Sequence, residues 1–196
     1  FAKNLQTNLE VHGEWAYFTN IDMRYINAQG QLFSETSDVM SYLLGLRYLT
    51  PQETTFILEY YYNGMGFTPT EVQDFVTFVD DSYATFQRTG NASGLQRAQS
   101  LAEGLYGRPN AMRHYFYLRA SHKEPFDILY FMPALTSIVN LTAGSFHVIP
   151  ELVYSPVTNL ELRIRGVGLF GAPGTDYGEK QNDYRLELRV RYFWGW

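Results

Sequence analysis

The clearest pattern in the chain is a strict alternation of apolar and polar residues over residues 183–196. One face of this segment holds Tyr184, Leu186, Leu188, Val190, Tyr192, Trp194 and Trp196, and the other begins with Asp183, Arg185, Glu187, Arg189 and Arg191. A period of two is typical of a strand whose faces meet different surroundings. Strands of soluble proteins average about 5–6 residues, whereas a strand tilted across a bilayer needs roughly 9–11. The length therefore favours a membrane wall with lipid on the apolar face.

The same alternation predicts seven further strands. They occupy residues 7–19, 38–49, 54–63, 112–121, 126–139, 145–154 and 160–171. Short turns lie at one end of these strands, and long loops at 20–37, 64–111 and 172–182 lie at the other, as in outer-membrane barrels. We predict an all-β fold, a transmembrane antiparallel up-and-down β-barrel with eight strands in this chain, as a single domain over residues 1–196. The even count would place both ends of the strand set on the periplasmic side.

Helices are predicted in the long connection at residues 64–111. Thr68-Pro69-Thr70-Glu71 has the form of a capping box with proline in the first helical turn. Apolar residues then recur at helical spacing from Val72 to Phe86, and a second helical segment covers about residues 94–105. This helical insertion is expected to enter the lumen as a plug, to cap the outer mouth and bind a protein partner, or to pack as a hairpin against itself.

Composition removes several classes of function. The 196 residues include no cysteine, so neither disulfides nor thiolate chemistry is available. The net charge of −5 argues against a nucleic-acid partner. Aromatic residues make up 17% of the chain, which suits the aromatic girdles of a membrane barrel. Mean hydropathy is −0.25, and no run of about 18 apolar residues predicts a transmembrane helix.

The end of the chain resembles the C-terminal signal of Gram-negative outer-membrane barrels. The matching alternate positions are Leu188, Val190, Tyr192, Trp194 and Trp196. This resemblance implies recognition by the barrel-assembly machinery. It also implies a location in the bacterial outer membrane, where the lipid bilayer and lipopolysaccharide would surround the protein.

Three strand motifs extend the likeness over the chain. They are Glu10-x-His12-x-Glu14-Trp15, Leu-Gly-Leu-Arg-Tyr-Leu at 44–49 and Glu-Tyr-Tyr-Tyr-Asn-Gly at 59–64. In these motifs the chain resembles the large outer-membrane channels related to the alginate-export porins. The resemblance implies passive export or uptake of polar solutes. Because such channels are longer than 196 residues, the chain is expected to be the C-terminal portion of a larger barrel.

Charged residues collect on the predicted inner face of the strands. Arginine keeps its charge and binds carboxylates or phosphates through paired hydrogen bonds. One interpretation is a lumen selective for anionic or polar solutes, and the other is a filled lumen in which Arg and Glu satisfy each other. Eight strands closing alone leave room only for side chains, so barrel size decides between them. The candidate lumen-lining residues are Arg47, Glu59, Arg113, Arg119, Glu151, Glu161, Arg163, Arg165, Arg185, Glu187, Arg189 and Arg191.

No catalytic site, cofactor or metal centre is predicted. The four histidines are scattered and have no metal-ligand spacing to one another. His12 lies between Glu10 and Glu14 on one strand face, where a hydrogen bond to a neighbour is the simplest role. The last long loop lacks the spacing of an EF-hand and is expected to be solvated; its acidic residues are Asp176, Glu179 and Asp183.

Together these patterns favour a porin-like outer-membrane channel for polar or anionic solutes, which is not an enzyme. The alternative is a structural or anchoring barrel with a filled lumen, whose helical loop binds a partner. A soluble barrel around an apolar ligand fits less well, because its exterior would be charged and its lumen apolar.

Overall fold

A single antiparallel sheet forms the body of the protein in a computed structural model that describes residues 1–180 and 182–194. Its strands are β1 (Ala2–Gln6), β2 (Leu9–Ile26), β3 (Leu32–Leu49), β4 (Thr54–Tyr62), β5 (His114–His122), β6 (Phe131–Asn140), β7 (Ser145–Val157), β8 (Leu160–Phe170) and β9 (Tyr184–Tyr192). Each strand pairs with its neighbours in chain order, so the predicted antiparallel succession of strands is confirmed. Within the described residues the sheet is open, because no pairing joins β9 to β1.

The sheet has nine strands where the sequence pattern predicts eight. The additional strand, β1, pairs with the start of β2 through Ala2↔His12 and Lys3↔Val11. All five of its residues are exposed, so backbone pairing and not side-chain burial holds this strand. It carries no apolar alternation and therefore leaves no signal in the sequence. The start of β2 and the end of β9 lie at the same end of the sheet, as the eight predicted strands require, and only the additional β1 begins at the opposite end.

The loop predicted at residues 20–37 is also wrong, because β2 and β3 continue through it to a tight turn at 27–31. Polar and aromatic side chains pair the two strands there. Thr36 Oγ1 donates to Asp22 Oδ1 at 2.6 Å, and the rings of Tyr25 and Phe33 stack with centroids 5.7 Å apart. The extension has apolar alternation only at Ile21, Met23 and Tyr25 of β2, and the facing residues 34–37 of β3 are all polar, so the pattern is too short to reveal two strands.

A bulge in β2 separates this extension from the rest of the sheet. The pairing register shifts between Phe18 and Ile21, and Asn20 takes a positive φ of 53°. Asp38 holds the bulge, because its carboxylate accepts hydrogen bonds from the Asn20 N–H at 3.0 Å and from the Tyr17 hydroxyl at 2.9 Å. One extra residue moves every following side chain to the opposite face. Ile21 and Met23 therefore lie on the opposite face of the sheet from Trp15 and Tyr17.

The insertion between β4 and β5 contains the two predicted helices, α1 (Pro69–Thr89) and α2 (Ser93–Glu103). The capping box is present: Thr68 Oγ1 accepts from the Glu71 N–H at 3.3 Å, and Glu71 Oε2 accepts from the Thr68 N–H at 2.6 Å. Gly90 ends α1 in the left-handed conformation, with φ 72°. Among the described residues, no helix has both the length and the apolar character needed to cross a membrane.

The helical insertion joins distant loops at one end of the sheet. Phe78 of α1 lies against Gly30 in the β2–β3 turn, and Val76 packs beside Gly174 in the β8–β9 loop. These two positions are about 3 Å apart along the helix axis. The β2–β3 turn and the β8–β9 loop, which belong to opposite edges of the sheet, therefore both contact the same turn of α1. The insertion and the β8–β9 loop together cover this end of the sheet, which is called the helical end below.

Candidate pore-lining face

The pairing register places most of the predicted lumen residues on one face of the sheet. Residues directly opposite each other in an antiparallel pair point to the same side, so the register can be followed from strand to strand. For example, Glu10 pairs with Arg47, Ile57 with Arg119, and Arg165 with Glu187. The charged face defined in this way includes Arg47, Glu59, Arg119, Glu151, Glu161, Arg163, Arg165, Arg185, Glu187, Arg189 and Arg191.

The charged face is the more shielded side of the sheet over β4 to β8, and the apolar face is the more exposed. Within β7, the Glu151 side chain on the charged face is only 14% exposed, whereas Leu152 on the apolar face is 40% exposed. Large apolar residues of five further strands are also exposed, namely Trp15, Met40, Leu44, Leu135, Ile164, Leu186, Leu188 and Val190. This exposure is the reverse of that in a soluble protein, where charged side chains are the ones left in water. In the edge strand β9 the charged residues are exposed as well, with Arg185 at 68%.

A chain of ion pairs on the charged face joins residues of four strands, β5, β7, β8 and β9. Glu151 of β7 lies 3.7 Å from Arg119 of β5 and 3.7 Å from Arg163 of β8. Arg163 lies 3.7 Å from Glu161, which in turn lies 3.8 Å from Arg191 of β9. These distances are long for bidentate pairs. Each carboxylate is therefore shared between two guanidinium groups instead of being locked to one.

Arg165 is left without a carboxylate in this network. Glu187 is its direct cross-strand neighbour, but the Glu187 carboxylate binds Arg185 at 2.7 Å and Arg189 at 3.0 Å. Among the described residues Arg165 has no ion pair, and its buried Nε has no hydrogen-bond partner. Its guanidinium is therefore a source of positive potential on the charged face.

Charge is distributed unevenly across this face. Strands β8 and β9 contribute five arginines to it and two glutamates, whereas β2, β3 and β4 contribute one arginine and four glutamates. The acidic members on β2 to β4 are Glu10, Glu14, Glu35 and Glu59. The field on the two sides consequently has opposite sign, and an anion would be drawn towards β8 and β9.

His12 belongs to the acidic side and contacts a carboxylate two strands away. Its Nε2 lies 3.2 Å from Glu59 Oε1 on β4, and its Nδ1 lies 3.6 Å from Glu10 Oε1. The contact passes over Gly45 of β3, where a Cβ atom would collide with the imidazole ring. The expected hydrogen bond of His12 to a neighbour is present, but Glu59 makes it and not Glu14.

Arg113 has a different role from the other arginines. Its Nε donates to the Gly66 carbonyl oxygen at 3.1 Å. Gly66 lies at the beginning of the insertion, so this hydrogen bond fastens the insertion to the start of β5. This hydrogen bond uses one of the five N–H donors of the guanidinium, so the assignment of Arg113 to a lumen stays a prediction.

At the helical end, the β8–β9 loop packs onto the charged face. The sequence pattern does not predict this contact. Tyr115 is buried; its hydroxyl donates to Asp176 Oδ2 at 2.9 Å and accepts from the Met112 N–H at 2.8 Å. Asn140 is fully buried and lies 3.5 Å from the same Asp176 oxygen. Asp176, expected in a solvated loop, is thus a packed hydrogen-bond acceptor. The partners are 61 residues apart, and no local pattern connects them.

Tyr177 of this loop reports the same packing. Its ring meets the His147 ring edge-on, with centroids 5.0 Å apart. Burial, reinforced by the charge of Asp176, raises the pKa of Tyr177 to about 12. The shift follows from the packing of the loop against the charged face, because a phenol free in solvent would not have it.

The predicted assembly-signal residues lie along β9 and just beyond it. Leu188, Val190 and Tyr192 are exposed on the apolar face of this strand. Trp194 follows the strand and is also exposed, whereas Trp196 lies outside the described residues. The outer edge of β9 has no strand partner within the described residues.

Comparisons with protein-family models, with curated proteins and with solved structures found no match. The protein is therefore described by its own architecture. That architecture is an antiparallel sheet with two helices, in which the exposed face is apolar and the shielded face is charged.

Proposed function

We propose that this chain forms the wall of a porin-like channel in the bacterial outer membrane and that the channel passes polar or anionic solutes. The apolar face would contact lipid and the charged face would line the pore. The observation that carries the proposal is the reversed exposure of the two faces, seen within one strand in the exposed Leu152 and the shielded Glu151.

Contact with lipid would explain why the apolar side chains are the exposed ones. Burying a large aliphatic side chain is worth about 1.5–3 kcal/mol, so the exposed apolar residues of the sheet represent a large unrealised free energy in water. A soluble monomer rarely leaves so extended an apolar surface uncovered. Alternating apolar and polar residues are the design of transmembrane β-strands.

Membrane insertion also requires the sheet to close. Backbone groups on a strand edge must be paired inside a bilayer, because lipid offers no hydrogen bonds. β9 is nine residues long with an unpaired edge among the described residues. Either the sheet curls until its own edges pair, or further strands join it to make a wider barrel. The second arrangement gives the wider pore.

The distribution of charge supports preference for anions. β8 and β9 supply five arginines against two glutamates on the charged face, and Arg165 has no carboxylate partner among the described residues. A guanidinium in this position binds carboxylates and phosphates in a planar, two-point geometry. Anionic solutes would therefore concentrate along β8 and β9 while passing.

A structural barrel with a filled lumen is the second candidate. It is favoured by the ion-pair chain from Arg119 to Arg191, which neutralises much of the face internally. The insertion covering the helical end would then be the surface that binds a partner. A filled lumen would pass no ions.

Conductance in planar bilayers separates the two candidates. The full chain is incorporated into the bilayer, and the reversal potential is measured in a KCl gradient. We expect open-channel steps with preference for chloride, and Arg165→Gln should shift the reversal potential towards that of potassium. Arg88→Gln is the matched control, because Arg88 is exposed in the last turn of α1 and is not one of the residues of the charged face. Absence of ion conductance in every preparation would reject the channel in favour of the filled barrel.

A further inference from the structure

The β5–β6 loop, residues 123–130, has an unusual composition for a short connection. Four of its residues are large, apolar or aromatic, and exposed: Phe126, Ile128, Leu129 and Tyr130. Phe126 is 91% exposed. Short connections are normally polar, because apolar side chains in water raise the free energy of the folded protein. Something other than this chain is therefore expected to cover the loop.

The backbone of this loop is strained, which indicates that its shape is specified. Glu124, Phe126, Asp127 and Tyr130 all have positive φ values, between 51° and 60°. Residues with a Cβ atom rarely adopt this region, and such outliers cluster where a conformation serves a purpose.

Hydrogen bonds hold the loop in place. The Glu124 N–H donates to the Phe131 carbonyl at 2.9 Å, and the Tyr130 N–H donates to Glu124 Oε1 at 3.0 Å. The neighbouring strands are tied to it as well, because the Ser155 N–H donates to the Tyr130 carbonyl at 3.2 Å. The exposed side chains are therefore presented from a fixed platform and not from a loose tip.

The position of the β5–β6 loop in the sheet indicates what covers its exposed side chains. It lies opposite the helical end, beside the turns at 50–53 and 158–159. Phe131, the first residue after it, belongs to the apolar face through its pairing with Tyr154. Other exposed apolar or aromatic residues surround the same end of the sheet, namely Tyr48, Leu49, Val157, Tyr192 and Trp194. Aromatic residues in such a belt sit at the boundary between acyl chains and headgroups.

We propose that residues 123–130 are a lipid-interface anchor, which inserts Phe126, Leu129 and Tyr130 into the headgroup boundary of the bilayer. This inference rests on the proposed membrane location of the sheet. The charged residues of the loop fit the same position, because Lys123 and Asp127 can remain among zwitterionic headgroups while the apolar side chains enter the acyl region. The anchor would set how deeply this side of the sheet sits in the membrane.

Spin labels can measure the depth of the loop directly, because the chain has no cysteine of its own. Single nitroxides are attached at Phe126→Cys and, separately, at Leu129→Cys in the full chain. The protein is placed in vesicles of phosphatidylethanolamine and phosphatidylglycerol. Collision with oxygen, which dissolves in lipid, is compared with collision with a water-soluble nickel chelate. Both loop labels should favour oxygen by several-fold.

Two reference positions make the outcomes distinguishable. Leu188→Cys reports the apolar face of β9, and Thr158→Cys reports an exposed polar turn at the same end as the loop. Lipid-like collisions at 126, 129 and 188, with water-like collisions at 158, support the anchor. Water-like collisions at 126 and 129 with lipid-like collisions at 188 overturn the anchor, leave the channel proposal standing and point to a protein partner at the loop. Water-like collisions at all four positions reject both, and circular dichroism checks that each labelled protein is folded.

Discussion

Leu188→Arg tests whether the apolar face meets lipid or water. Leu188 is the middle residue of β9 and is 69% exposed. If the face were in water, replacing an exposed leucine by arginine would change the free energy of unfolding by no more than about 0.5 kcal/mol. At the centre of a bilayer the same change costs about 2–4 kcal/mol, because the guanidinium must enter hydrocarbon. That cost corresponds to a roughly 30- to 700-fold smaller folding equilibrium constant.

Guanidinium unfolding of the protein in lipid vesicles, followed by tryptophan fluorescence, gives the required free energies. Leu141→Arg is the matched control, because Leu141 is 53% exposed but lies in the β6–β7 turn, outside the strands. We expect a large loss of stability for Leu188→Arg and little for Leu141→Arg. If the two variants are equally stable, and both within about 0.5 kcal/mol of the unsubstituted protein, the exposed apolar face is not in lipid and the reasoning fails.

Two further changes test local features of the structure. Gly45→Ala should destabilise the protein by about 1 kcal/mol, because the new Cβ collides with the ring of His12 and approaches Glu59 Cγ to 2.9 Å. In a double-mutant cycle this cost should become smaller in a His12→Ala background, and an equal cost in both backgrounds would contradict the contact. Thr68→Ala should lower the stability of the first turn of α1 by about 1 kcal/mol, because the N-cap hydrogen bond is lost. Hydrogen exchange of the first-turn amides should then become faster, whereas Thr89→Ala at the other end of the helix should leave those amides protected.

Strands with two distinct faces were predictable from sequence, and strands without them were not. The alternation around Leu188 and around Glu59 placed β9 and β4 close to their observed ends, because each strand separates two kinds of surroundings. The extension of β2 and β3 beyond Asn20 was missed. Its apolar alternation is limited to three positions of β2, and its pairing depends also on polar contacts such as Thr36 with Asp22, which leave no periodic signal.

The charged face was predictable as a set, but its internal connections were not. Alternation alone assigns Arg163, Arg165 and Glu187 to one side, because antiparallel pairing preserves the faces of neighbouring strands. Which carboxylate binds which guanidinium depends on register and side-chain reach, so the isolation of Arg165 could not be foreseen. The same applies to Asp176 against Tyr115, since loop conformations join residues far apart in the chain.

Gly45 also restricts how β3 can align with its neighbours while the sheet forms. A slip of one residue would turn the side chains of β3 to the wrong face, which is costly wherever one face is buried. A slip of two residues would keep the faces but bring Leu43 or Arg47 beneath the contact between His12 and Glu59. Only the native alignment leaves a gap at that point. Gly45 therefore favours the native register of β3, and replacing it should first lower the yield of correctly refolded protein, because more chains would align β3 wrongly.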